Sequence, residues 1–264
     1  MSPEAAAVSA SRSAAAAPAA RGAAQAYLTY DTMNEMLRAR LEALPGPLRI
    51  LEAGCGRYWP LELAVPYSLT GLDLDRDALA ARTDLDHAVV GDLRSVEFPQ
   101  HSFDVIYSAF VLEHVRGARQ VLEHFLRWLA PGGMLIVKVP DRDSAYGFLT
   151  RLTPFWAHVF VYRRIFGYAW AGAPGHGPYR TYYDRVVCER GLREFCLGHG
   201  MTEPELYRLC SYADDRLVRT AAFLTSMLSA GRLAWRHNNL LLIARAPAGA
   251  SRKAVPGHSA LAAQ

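Results

Sequence analysis

The chain has 264 residues, 51% of them hydrophobic, and a formal charge of +4, which suits one domain with a sizeable core and an elaboration. Its cations, all arginine except Lys138 and Lys253, lie scattered without a long basic run, which excludes a nucleic-acid footprint. Cys55, Cys188, Cys196 and Cys210 form no C-x-x-C pair and have no histidines at zinc-site spacing, so neither a disulfide framework nor a metal site is expected.

Residues 1–25, rich in Ala and Ser, lack the charged and Leu-rich regions of a signal peptide and read as a disordered leader. The expected domain runs over 26–246, with a disordered tail of Ala, Ser and Gly over 247–264. No run of about 18 apolar residues is present, so no membrane span is expected. Reduced cysteines and the missing signal peptide point to the cytoplasm, and the Arg-rich, Ala-rich composition to a bacterial source.

Within the domain, Met33, Met36, Leu37, Leu41 and Leu44 recur at helical spacing until Pro45-Gly46-Pro47 ends the helix. Leu48-Arg49-Ile50-Leu51-Glu52 reads as a buried strand. Further strands are predicted at Ser68–Leu72, Ala88–Gly91, Phe103–Tyr107 and Met134–Val139, with helices at Arg76–Arg82 and Ala118–Leu129 between them. That alternation predicts a parallel α/β sheet with right-handed crossovers. From 141 to 183 the rhythm breaks into a stretch dense in aromatics, Gly and Pro. Order returns with a helix at Asp184–His199, a strand at Glu205–Tyr212, a helix at Leu217–Leu228 and a strand at Asn239–Arg245.

The sharpest signal is Leu51-Glu52-Ala53-Gly54-Cys55-Gly56, in which a strand ends in a carboxylate and two glycines that let the backbone turn beside a ligand. The second strand ends in Gly71-Leu72-Asp73, close to the spacing at which a carboxylate meets ribose hydroxyls in nucleotide folds. The third ends in Gly91-Asp92-Leu93, where Asp92 is placed to accept from an adenine amino group. Three such features at consecutive strand ends outline one crevice.

These segments, together with Ser102-Phe103-Asp104-Val105-Ile106 and Leu129-Ala130-Pro131-Gly132-Gly133, resemble in order the motifs of class I S-adenosylmethionine-dependent methyltransferases. The resemblance covers roughly residues 48–140 and extends to the last strand. It implies a doubly wound, Rossmann-like α/β fold of seven strands with the last antiparallel, S-adenosyl-L-methionine as cofactor, and methyl transfer to a small-molecule acceptor. It implies that Glu52, Gly54 and Gly56 line the methionine end, Asp73 holds the ribose, Asp92 and Leu93 frame the adenine, and Ser108, Ala109 and Phe110 sit near the sulfonium. Where many members carry a third glycine, Tyr58 stands, which predicts a displaced or ring-covered loop. A nicotinamide dehydrogenase would require glycine where Trp59 stands.

For the acceptor side, His114 follows the fourth strand and is a candidate base, with His176 and Tyr182 as further catalytic candidates and His158 and Tyr183 beside them. Asp141 and Asp143 read as turn residues. The aromatic stretch over 141–183 has three readings: a wall and cover for the acceptor, a packing insertion, or shallow membrane contact through rings and Arg163-Arg164. The expected acceptor atom is an oxygen of a specialised metabolite, sugar or lipid-like compound. A peripheral quinone or lipid methyltransferase and a catalytically silent binding module are the alternatives. The oligomeric state is not legible.

Overall fold

The structure, a computed structural model, describes residues 28–164, 167–173, 177–212 and 214–248. The expected leader, nearly all of the expected tail, and His176 lie outside the described residues. In chain order the elements are α1 (Tyr30–Glu42), β1 (Leu48–Ala53), β2 (Tyr67–Asp73), α2 (Arg76–Ala80), β3 (His87–Val90), β4 (Phe103–Ala109), a 3-10 turn (Leu112–His114), α3 (Ala118–Trp128), β5 (Leu129–Pro140), α4 (Ala145–Leu152), α5 (Phe155–Arg164), α6 (Glu189–Gly198), β6 (Glu205–Leu209), α7 (Arg216–Leu228) and β7 (Asn239–Arg245).

The seven strands form one sheet in the order β3-β2-β1-β4-β5-β7-β6, and β7 runs antiparallel to both of its neighbours. This is the α/β topology the sequence predicts. Strands β1, β4 and β5 are buried on both faces, which is why they read as continuous apolar runs and not as alternating ones. One face packs Leu51, Ile106, Leu135 and Leu242 against Val121, Phe125 and Trp128 of α3 and Phe195 of α6. The other packs Ile50, Val105, Ile136 and Leu241 against Met33, Leu37 and Leu41 of α1. Those three α1 residues are spaced by four, which gives the helix one apolar stripe, and Thr29 with Thr32 caps its start reciprocally.

The aromatic stretch is more regular than its composition suggested. It contains α4, capped by the Ser144 hydroxyl on the Gly147 N–H, and α5, in which no residue is buried. A helix that buries nothing leaves no apolar periodicity to read. The helix expected from Asp184 starts only at Glu189, because Val186 and Val187 first turn into the core. The strand expected to reach Tyr212 stops at Leu209. Register matters most at the C-terminal ends of β1, β2 and β4: Glu52 pairs with both Gly71 and Tyr107, so the loops that follow these strands open on the same rim.

Candidate active site

At that rim lies a cavity of about 720 Å³. Its floor is apolar, with Leu72, Leu93, Val111 and Val115, and its rim carries Asp73, Asp75 and Asp92. Gly54 holds φ of +73°, and a Cβ there would lie 2.2 Å from Val111, so only glycine fits both the turn and the contact. Gly56 also has positive φ and a Cβ on it would meet nothing within 4 Å, which leaves its backbone open to a ligand. Asp73 ties this loop down: one carboxylate oxygen accepts from the Gly56 N–H and the other from the Asp75 N–H, each at 2.9 Å. A carboxylate has about four acceptor positions, so two remain for hydroxyls. Asp92 also lines the cavity, but its carboxylate already receives the Arg94 guanidinium and backbone N–H, and that contact holds it below the usual carboxylate range.

Glu52 and Ser108 are not among the lining residues. The Glu52 side chain is buried behind the loop, 2.9 Å from the Arg82 guanidinium, which also donates to the Cys55 carbonyl. Desolvation outweighs the attraction of Arg82 and leaves the Glu52 carboxyl raised; its contribution is to brace the loop through the hydrogen bond it accepts from Arg82. Ser108 is buried on the α3 side of β4. Tyr58 does not cover the cavity: its ring is 71% exposed. Trp59 turns the other way and meets Tyr107 edge-on at 5.4 Å.

A second cavity, of about 840 Å³, adjoins the first and shares Phe110, His114, Tyr179, Arg180 and Tyr182 with it. Its outer wall is the aromatic insertion, through Tyr146 of α4 and Phe155, His158 and Tyr162 of α5. Residues 179–183 are strapped onto the 3-10 turn by three bonds: the Tyr182 and Tyr183 N–H groups donate to the Glu113 carbonyl at 2.7 and 3.4 Å, and His114 Nδ1 donates to the Arg180 carbonyl at 2.8 Å. A carbonyl only accepts, so Nδ1 carries the hydrogen and Nε2 keeps its lone pair. Burial lowers the His114 pKa, which favours that neutral, basic form. His158, by contrast, spends Nε2 on the carbonyls of Thr150 and Thr153.

Sequence reasoning gave no role to two groups here. Glu113 is 2% exposed, lines the second cavity, and its Oε2 has no hydrogen-bond partner among the described residues; burial raises its carboxyl to about 8. Lys138, at the end of β5, has its Nζ 3.9 Å from the Tyr30 ring centre and 4.6 Å from that of Phe110, and burial lowers it to about 8. The Phe110 N–H donates to the Lys138 carbonyl, and Phe110 holds φ of 57°, so this non-glycine residue is kept in the left-handed region between the two cavities. The V-L-E-H-V motif already contained Glu113. Only the path of the insertion reveals that it is buried.

A family described as a methyltransferase domain matches residues 25–180. The chain belongs to the class I S-adenosylmethionine-dependent methyltransferases. It is similar to a probable S-adenosylmethionine-dependent methyltransferase of Mycolicibacterium smegmatis, 34% identical over 131 residues that cover 46% of this chain and 50% of that protein. It is also similar to a malonyl-(acyl-carrier protein) O-methyltransferase of Enterobacter lignolyticus, 29% identical over 190 residues covering 62% of this chain and 73% of that one. The matched stretch thus spans half the length of the first of these relatives. In fold it is like a methyltransferase from Archaeoglobus fulgidus, with a TM-score of 0.51 at 15% identity over 82% of this chain and 94% of the other.

The methyltransferase's first cavity fits the family's cofactor. Its apolar floor suits an adenine, the open carboxylate positions of Asp73 suit ribose hydroxyls, and the bare backbone at Gly56 suits the amino-acid end.

Proposed function

We propose that this methyltransferase transfers the methyl group of S-adenosylmethionine to a hydroxyl or carboxylate oxygen of a small acceptor held in the second cavity, with His114 as general base for a hydroxyl acceptor. The observation that carries this reading is the position of His114: the residue lines both cavities while its Nδ1–H is committed to Arg180, which leaves Nε2, 3.7 Å from Glu113 Oε1, as the basic nitrogen. The bound cofactor supplies a methyl group on sulfur that is already a good leaving group. The protein's part is therefore to position, to exclude water and to take one proton. Phe110 separates the two ligands' chambers at the point where they must meet. Tyr179, Arg180 and Tyr182, strapped across the turn, close the junction from outside.

Charge supports an oxygen acceptor over a cationic amine. Glu113 is the only carboxyl among the described lining residues of the second cavity, and at neutral pH burial keeps it protonated, while Arg151 and Arg180 stand at the rim. Such a cavity repels a cation and admits a neutral or anionic molecule. The E. lignolyticus relative, described as an O-methyltransferase, is consistent with this class.

The test has two steps. S-adenosylhomocysteine should stabilise the protein by about 2.7 kcal/mol at a hundredfold excess over its Kd, read as a thermal shift that NAD does not produce. Incubation with labelled S-adenosylmethionine and a panel of hydroxyl, carboxylate and amine acceptors should then label the oxygen acceptors. Cofactor binding with transfer to amines alone would overturn the oxygen assignment.

A further inference from the structure

The insertion's outer surface is unlike the rest of the molecule. Helix α5 divides its residues cleanly: Phe155, His158 and Tyr162 line the acceptor cavity, while Trp156, Phe160, Arg163 and Arg164, with Val159, form a shallow groove on the outside. Trp156 is 71% exposed and Phe160 56% exposed. Large aromatics in water at that level mark a surface meant to be covered. Helix α7 packs its Ala222 against Ala145 and Tyr146 of α4, and its opposite side exposes Leu217, Leu224 and Leu228.

The charge pattern says what covers it. From Ser144 to Tyr183 the chain carries Arg151, Arg163, Arg164 and Arg180 and no acidic residue, and from Arg216 to Gln264 it again has none, although 25 acidic residues are distributed over the remainder. A groove that joins exposed Trp156 and Phe160 to Arg163 and Arg164, in a segment of chain without a carboxylate, matches an anionic lipid surface, where rings settle at headgroup depth and guanidinium groups meet phosphates. A protein partner of ordinary mixed charge would not demand so complete an exclusion of acids. No helix among the described residues is long and apolar enough to cross a membrane, so the contact is peripheral.

We propose that the outer face of α5, through Trp156, Phe160, Arg163 and Arg164, docks this protein on an anionic membrane surface. The wall of the second cavity then lies at the lipid interface, since the inner face of the same helix forms it.

Flotation of the full chain with vesicles of phosphatidylcholine alone, or with added phosphatidylglycerol, tests this directly. The parent should bind the phosphatidylglycerol vesicles on the order of tenfold more tightly than the neutral ones, and lose that preference at high salt. Trp156→Ala/Phe160→Ala should reduce binding to both vesicle types about tenfold. Arg164→Gln should reduce only the anionic preference. Both variants alter exposed side chains and should melt within a few degrees of the parent. Absence of binding to phosphatidylglycerol vesicles at low salt would overturn the proposal, as would undiminished binding of a folded Trp156→Ala/Phe160→Ala protein. So would a dimer that this double variant dissociates, found without vesicle binding, because a second copy would then be the occupant. Cofactor-induced thermal shifts are read independently, so this proposal and the methyl-transfer reading fail separately.

Discussion

His114 Nδ1 stands 2.8 Å from the carbonyl of Arg180. That bond joins a residue of the cofactor half to the last segment of the insertion, and it decides which imidazole nitrogen is basic.

If His114 is the base, kcat/KM for a hydroxyl acceptor should rise with pH through a value below the ordinary imidazole range, since burial lowers its pKa. The same depression implies that any stability linked to this ring is present above the unfolded-state pKa and is lost as pH falls through the lower folded value. His114→Ala should lower kcat by roughly 10² to 10⁴-fold. A pH–rate profile on parent and variant checks both, and an unchanged profile in the variant would remove His114 from the proton transfer.

Asp73 braces the loop before any ligand arrives, through the Gly56 and Asp75 N–H groups. Asp73→Ala should therefore weaken cofactor binding by roughly 1.5 to 3 kcal/mol and also lower the melting temperature of the ligand-free protein. Asp73→Asn, which keeps the shape and one acceptor oxygen, should do less of both. Calorimetry with S-adenosylhomocysteine and thermal melts decide the matter. Loss of affinity with no change in the ligand-free melt would show that only the ribose contact matters.

Glu113 predicts a pH dependence of the opposite sign. Its folded value, about 8, lies above the unfolded carboxyl near 4.3. Its contribution is fully present below about pH 4 and is lost as pH rises towards 8. Glu113→Gln, neutral throughout, should gain at least about 1 kcal/mol relative to the parent between pH 5 and pH 8. Urea unfolding at the two pH values measures this, and a constant difference would show that Glu113 is ionised in the folded protein.

The insertion's aromatics should separate by which cavity they reach. Tyr182 lines both cavities, so Tyr182→Ala should weaken cofactor and acceptor together. Tyr162 lines the second alone, so Tyr162→Ala should raise the acceptor KM while leaving cofactor affinity within about 0.5 kcal/mol. Trp156 reaches neither cavity. Trp156→Ala should leave turnover of a water-soluble acceptor unchanged, and a selective loss there would mean that the insertion repacks when the acceptor binds.

The cofactor half was legible because its signals are local. A buried parallel strand must be apolar on both faces, a loop that approaches a ligand must shed its Cβ, and a carboxylate at a strand end follows within a few residues. Gly54, Asp73 and Asp92 could thus be placed at strand ends by spacing, the parallel α/β class followed from the alternation of elements, and the seven strands with the last antiparallel followed from the family resemblance, while the strand order came from the structure. What spacing could not supply was the state of each side chain. Glu52 carries a motif position yet faces Arg82, thirty residues away in the chain, and Asp92 meets Arg94 before it meets any ligand.

The acceptor half depended on tertiary structure throughout. Glu113 and His114 are adjacent in sequence, but the burial that makes one a neutral acid and the other a neutral base comes from residues 179–183 folding back over them. Likewise Trp156 and Tyr162 are equally aromatic neighbours on one helix, and only the direction in which α5 packs sends one outward and the other into a cavity. Composition determined that this stretch would be apolar and cationic. Which face meets the acceptor and which meets solvent was settled by long-range contacts that no local pattern encodes.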